Sequence, residues 1–258
     1  MRKYCAHLAV LAILVFSFSV PTHAQGATSK IDVFGGFSFL ANNYYSTSQQ
    51  AQWNTLTGGT YVINGYHFQG TYNLTKHFGI MADFSNHSGT TDETSSYNYA
   101  DCCGYTSSSQ YTLHLDQKMR TFAFGPSFSV EEKKLRLSAH TLVGVSTAQM
   151  TALTTSNSSD SNLNTSSSNY NSTWPSNTGM AVVVGGSADF MFAKHLGWRI
   201  AQIDYVHSVL QGCPNWTNTW TYNGSPSGTN SGTPNTGCDA GVNNLRISTG
   251  IVFRLGGK

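Results

Sequence analysis

Residues 121–130 read TFAFGPSFSV, and the spacing in that stretch decides the fold. Phe122, Phe124, Phe128 and Val130 share one parity; Thr121, Ala123, Gly125, Ser127 and Ser129 share the other. Side chains alternate across a β-strand, so this is a strand with one apolar face and one small, polar face. A helix would set its apolar residues three and four apart.

The same texture recurs along the chain. It predicts eight strands over residues 30–40, 62–73, 78–87, 112–130, 135–149, 179–192, 198–210 and 243–255. The links alternate in length. Residues 74–77, 131–134 and 193–197 are short turns, whereas 41–61, 88–111, 151–178 and 211–242 are long. Segment 151–178 has 21 Ser, Thr or Asn among 28 residues and is expected to be a loop with no core of its own. Strands of about ten residues joined alternately by short and long links are the pattern of an outer-membrane barrel with short periplasmic turns and long extracellular loops. Lipid leaves no tolerance for unpaired edge N–H and C=O groups, so the sheet has to close. The expected fold is all-β: an eight-stranded, antiparallel, up-and-down transmembrane β-barrel. A soluble sandwich also alternates, but the unequal links and the aromatics near strand ends favour the barrel. Tyr44, Tyr45, Tyr66, Tyr72, Phe78, Trp198 and Tyr205 are candidates for the interface girdles.

Eight strands enclose a lumen that side chains fill. The parity opposite the apolar rows carries Asp83, Arg136, His140, Asp189, Asp204, Arg246 and Arg254. Unpaired buried charge is costly, so these residues are expected to pair inside the barrel and plug it. Arg199 falls on the apolar parity near a turn, where a bulge or snorkelling would rescue it.

Composition excludes other classes. Only 10% of the 258 residues are charged, 12% are aromatic, and the net charge is +2, which fits neither a disordered chain nor a nucleic-acid binder. Residues 1–24 read as a cleaved signal peptide: Arg2 and Lys3, then an apolar run to Val20, then Thr22-His23-Ala24. Residues 25–258 form the single barrel domain. Removal of Arg2 and Lys3 leaves that domain neutral.

Four cysteines follow the leader, as suits an oxidising compartment. Cys213 and Cys238 share one long link and are the better disulfide candidates; adjacent Cys102 and Cys103 either bridge each other or pair elsewhere. No CxxC or HExxH spacing points to a metal, no glycine-rich phosphate loop points to a cofactor, and none is expected. His87-Ser88 and His207-Ser208 invite a dyad reading, but neighbours on a strand face opposite ways.

The last strand, NNLRISTGIVFRLGGK, resembles the assembly signal of outer-membrane barrels. Thr249, Gly250, Phe253 and Leu255 match it in order, while the usual terminal aromatic is replaced by Gly256-Gly257-Lys258. Together with FGGFSF, GTYNLTKHFGIMADFS, TFAFGPSFS and VVVGGSADFMFAKHLGWRIAQIDY, this strand makes the chain similar to the outer-membrane β-barrel domain family of small OmpA- and OmpX-like barrels. The resemblance covers roughly half of residues 25–258. It implies residence in a bacterial outer membrane, contact with outer-membrane lipid and lipopolysaccharide, and delivery by the barrel-assembly machinery. It does not imply one activity. The leading expectation is a non-enzymatic structural or adhesive protein that contacts an extracellular ligand through its loops. A narrow porin and a lipid-modifying enzyme are the rivals. Two turns echo each other, Lys76-His77-Phe78-Gly79 and Lys194-His195-Leu196-Gly197, which reads as shared turn chemistry.

Overall fold

The computed structural model describes residues 29–44, 61–100, 106–160, 165–210, 215–222, 225–232 and 240–256. The strands are β1 (Ile31–Tyr44), β2 (Tyr61–Asn73), β3 (Phe78–Ala100), β4 (Thr106–Glu132) and β5 (Leu135–Asp160). They continue with β6 (Thr165–Met191), β7 (Leu196–Leu210), β8 (Asn215–Tyr222), β9 (Ser225–Gly232) and β10 (Ala240–Leu255). Eight of them close into a ring in the order β1-β2-β3-β4-β5-β6-β7-β10, with β5–β6 completing the circle. The pairings around the ring are antiparallel.

Register fixes the shape of the cylinder. From Tyr44, cross-strand partners run through Val242, Ser208, Ala181, Gly144, Ala123, Asp83 and Gln69 back to β1 at Phe34, ten residues from the start. Eight strands about 4.8 Å apart with that stagger tilt by about 40° and enclose a backbone radius of about 8 Å. Such a lumen is two side chains deep.

The faces separate as the parity predicts. Phe122, Phe124, Phe128 and Val130 point outward and are 47–57% exposed, while Thr121, Ala123, Ser127 and Ser129 are buried. Outward apolar side chains on β10 run from Leu245 to Leu255. At about 3.4 Å per residue and about 40° of tilt, that row rises about 25 Å, the apolar height of an outer membrane. A water-soluble monomer does not expose a continuous apolar belt of this size. Tyr66, Tyr72, Trp198 and Tyr205 lie in the belt at 44–52% exposure, and Phe78 is half-buried. The side chains of Tyr44 and Tyr45 lie outside the described residues.

The long links differ from expectation. Much of 88–111 and 151–178 is strand: β3 and β4 pair up to Ala100↔Thr106, and β5 and β6 up to Ser159↔Thr165. Within 211–242, β8 and β9 form a hairpin on the outer part of β6. The wall therefore has ten strands, eight of them in the ring. Nor is segment 151–178 wholly without a core, because Ala152 packs with Leu113 and Leu115. Apolar alternation stops where lipid stops. Beyond that level the ladder is held by backbone pairing and by cross-strand hydroxyl contacts such as Thr147–Thr178 at 3.0 Å and Ser108–Ser159 at 3.0 Å.

Candidate functional site: the barrel interior

The inward residues form stacked polar layers. Deepest is Arg246 on β10, fully buried. Its Nη1 and Nη2 donate to Asp83 Oδ1 and Oδ2 at 2.9 and 2.8 Å, and its Nε donates to Asp204 Oδ2 at 2.9 Å. Asp83 on β3 also meets His67 Nε2 at 2.6 Å and accepts from Gln69 at 2.8 Å. Asp204 on β7 accepts from Gln202 at 2.8 Å and lies 3.0 Å from His140 Nε2. Space for Asp204 comes from Gly185 on the paired strand: a Cβ there would sit 2.0 Å from the carboxylate.

One layer nearer the short turns, Arg199 donates to both oxygens of Asp189, at 2.7 and 3.1 Å, and its guanidinium lies 4.2 Å from the centre of the Phe34 ring. At the short-turn rim, Arg136 pairs with Asp32, and Arg254 pairs with Glu131 at 2.9 Å. Toward the other end, Ser38 Oγ accepts from Ser248 Oγ and contacts His87 Nε2, both at 2.9 Å. An apolar layer of Leu40, Ile63, Met81, Met119, Ala123, Leu142, Val183 and Val206 adjoins them.

All seven predicted interior residues thus face inward. Asp83, Asp204, Arg246 and His140 meet in one network; Asp189 pairs with Arg199; Arg136 and Arg254 serve the rim. His67, Gln69, His87 and Gln202, which also stand opposite the apolar parity of their strands, join the interior, as does Asp32, which sequence reasoning missed. Parity marks Asp32 too, since it sits between the outward side chains of Ile31 and Val33.

Arg199 reaches the lumen through a bulge. Ala188 pairs with Ala201 and Asp189 with Arg199, so β7 carries one extra residue, Ile200. Parity therefore changes between Arg199 and Gln202, and both are buried. Thr249 on β10 covers the bulge, its Oγ1 donating to Arg199 O at 2.8 Å. Gly250 lies against the backbone of Gly35 and Gly36, while Phe253 and Leu255 point outward. Cys102, Cys103, Cys213 and Cys238 lie outside the described residues.

Two constellations resemble chemistry. Ser248 Oγ, His67 and Asp83 are linked at 3.0 and 2.6 Å, as a nucleophile, base and orienting acid would be. All three are at most 1% exposed, so no substrate reaches the hydroxyl, and Arg246 already holds the acid. Donor atoms of His67, Asp83 and Asp204 also lie within 4.8 Å of one another, but the cation bridging the two carboxylates is the Arg246 guanidinium. In His87-Ser88 and His207-Ser208, one member is buried and the other is not.

No protein-family profile matches this chain, and no curated protein matches it. Solved structures similar to it include Ail, the attachment invasion locus protein of Yersinia pestis, at 10% identity and TM-score 0.39, over 88% of this chain and 99% of that one. Neisserial surface protein A is similar at 10% identity and TM-score 0.30, over 90% and 100%. The outer membrane protease OmpT from Escherichia coli is similar at 8% identity and TM-score 0.34, over 91% and 100%. Ring closure, register and the outward apolar belt make this chain an eight-stranded, antiparallel, up-and-down β-barrel.

Proposed function

We propose that the chain is an integral outer-membrane protein with a plugged barrel, acting as a structural anchor whose long strands present a contact surface outside the cell. One observation carries the reading. Arg246, Asp204, Gln202, His67 and Ser38 are each 0% exposed, so water touches none of them even though they line the axis. A diffusion channel needs a continuous wet path through that level. The reading is non-enzymatic, because the one nucleophile–base–acid set in the described interior is sealed inside the plug.

The short turns face the periplasm in this reading, and the β3–β4, β5–β6 and β8–β9 extensions face outward. Their hydroxyl, amide and aromatic side chains suit adaptable polar contact with an extracellular ligand. Residues 1–24 supply the export signal, and Thr249, Gly250, Phe253 and Leu255 supply the mark read by the assembly machinery. Lipid, with lipopolysaccharide in the outer leaflet, wets the belt.

Planar-bilayer recording of the refolded protein tests the plug. The expected result is a baseline without steps, and stable conductance steps overturn it in favour of a narrow porin. An epitope inserted between residues 161 and 164 should be labelled on intact cells; labelling only after permeabilisation reverses the sidedness.

A further inference from the structure

Charge is distributed unevenly along the barrel axis. Lys30, Lys76, Lys133, Lys134 and Lys194 all lie at the short-turn end, exposed, with no ion-pair partner among the described residues. The acids near them are mostly engaged: Asp32 holds Arg136 and Glu131 holds Arg254, leaving Glu132. At the opposite end the wall carries Asp92, Glu93 and Asp116 against Lys118 and Arg120.

The placement of these lysines follows the ring. Short connections occur between β2 and β3, β4 and β5, and β6 and β7, and the chain ends meet between β10 and β1. These four corners alternate around the rim, and each has a lysine. Each lysine also adjoins the lipid-facing belt. Ile31 follows Lys30, Leu74 lies two residues before Lys76, Leu135 follows Lys134, and Phe192 lies two residues before Lys194; all are exposed. An apolar anchor immediately beside a long cationic side chain is the arrangement of a membrane interface.

Two corners are built alike. In one, His77 Nδ1 contacts Ser129 O at 2.9 Å, and Ser129 N donates to His77 O at 2.8 Å. In the other, His195 Nδ1 contacts Arg254 O at 3.0 Å, and Arg254 N donates to His195 O at 3.0 Å. A carbonyl only accepts, so both rings carry their proton on Nδ1, and each imidazole clips its turn to the next strand. The repeated Lys-His pair therefore holds its lysine at a fixed place on the rim. At the third corner Lys133 has φ 55°, a left-handed conformation in which Gly or Asn is less strained.

We propose that the rim formed by Lys30, Lys76, Lys133, Lys134 and Lys194 is a cationic collar that docks on the phosphate headgroups of anionic phospholipid in the adjacent leaflet. The inference rests on the membrane-spanning reading above, which places these residues at headgroup level. A lysine at a charged lipid surface changes binding by about fivefold.

The test uses the refolded full barrel in vesicles of phosphatidylcholine with 20% phosphatidylglycerol, with spin-labelled forms of each lipid as probes. The native protein should prefer the anionic probe several-fold at low salt, and this preference should collapse toward unity at 1 M NaCl. The variant carrying Lys30→Gln, Lys76→Gln, Lys133→Gln, Lys134→Gln and Lys194→Gln should lose it, whereas Lys118→Gln at the far end should keep it. Folding of each variant is verified by its heat-modifiable gel mobility. An anionic preference that survives the five substitutions, or equal association of the native protein with both probes, overturns the collar. Failure of the protein to insert and immobilise either probe overturns the membrane-spanning reading instead.

Discussion

Replacing Arg246 by Met tests whether the central network is a plug held by charge. The guanidinium makes the cationic contacts of Asp83 and Asp204, and all three side chains are fully buried. In the unfolded chain in urea both carboxylates are hydrated, so their burial penalty falls entirely on the folded state. Methionine approximates the length of the arginine stem but leaves two anions facing each other with only His67, His140, Gln69 and Gln202 as partners. Removing one member of a buried charged set costs about 3–5 kcal/mol. Reversible urea unfolding in phospholipid vesicles, followed by tryptophan emission, should show Arg246→Met destabilised by that amount. Adding Asp83→Asn and Asp204→Asn removes the anions and should bring stability back to within about 1–2 kcal/mol of the native protein, because a neutral hydrogen-bonded core replaces an ionic one at little net cost. A single variant within about 0.5 kcal/mol of the native protein would refute the charge-held plug. So would a triple variant no more stable than the single one.

Other expectations follow from named contacts. Phe124→Arg puts a charge in the middle of the outward row on β4 and should cost about 2–4 kcal/mol in the same assay, whereas Lys118→Ala above the belt should be near neutral. Gly185→Val drives a side chain into Asp204 and the Ile203 carbonyl, and should abolish the heat-modifiable folded band. His114, on the outer face of the β3–β4 extension, is hydrogen-bonded to Asp92, which with Asp92 and Asp116 charge raises its pKa above the ordinary 6.5. Being raised, its contribution is complete below the unfolded value and fades as pH climbs through the folded one. An NMR titration should place the His114 midpoint above 6.5, and Asp92→Asn should lower it.

What the sequence discloses is set by the surrounding medium. Wherever lipid wets the wall, one parity has to be apolar, so rows such as Phe122, Phe124 and Phe128 are legible and their opposites fall inward, whereas Arg199 is misplaced because the bulge at Ile200 shifts its parity. Above the belt the outer face meets water instead of lipid. There β3 continues through Gly89–Ala100 and β6 begins at Thr165 with no hydrophobic period to mark them, and hydroxyl-rich strands read as loops. Within the lumen, the inward set was legible but the partners were not. Asp32 and Arg136 lie 104 positions apart, and Asp83 and Arg246 lie 163 apart; only the ten-residue stagger of the closed ring brings them together. The resemblance of Ser248, His67 and Asp83 to a catalytic set was equally unreadable, because it spans three strands whose spacing is a property of the ring.

The extra residue in β7 gives this wall an unusual tolerance. Within a regular ladder a one-residue deletion turns every following side chain over, sending acids into hydrocarbon, much as a lost nucleotide garbles a reading frame. Ile200 is different: without it Arg199 and Gln202 would still face inward, with Ala201 alone between them pointing out. Deleting Ile200 should therefore yield a folded protein, while deleting Ile203 three positions on should not. At this bulge the chain can be shortened without rewriting the rest of it.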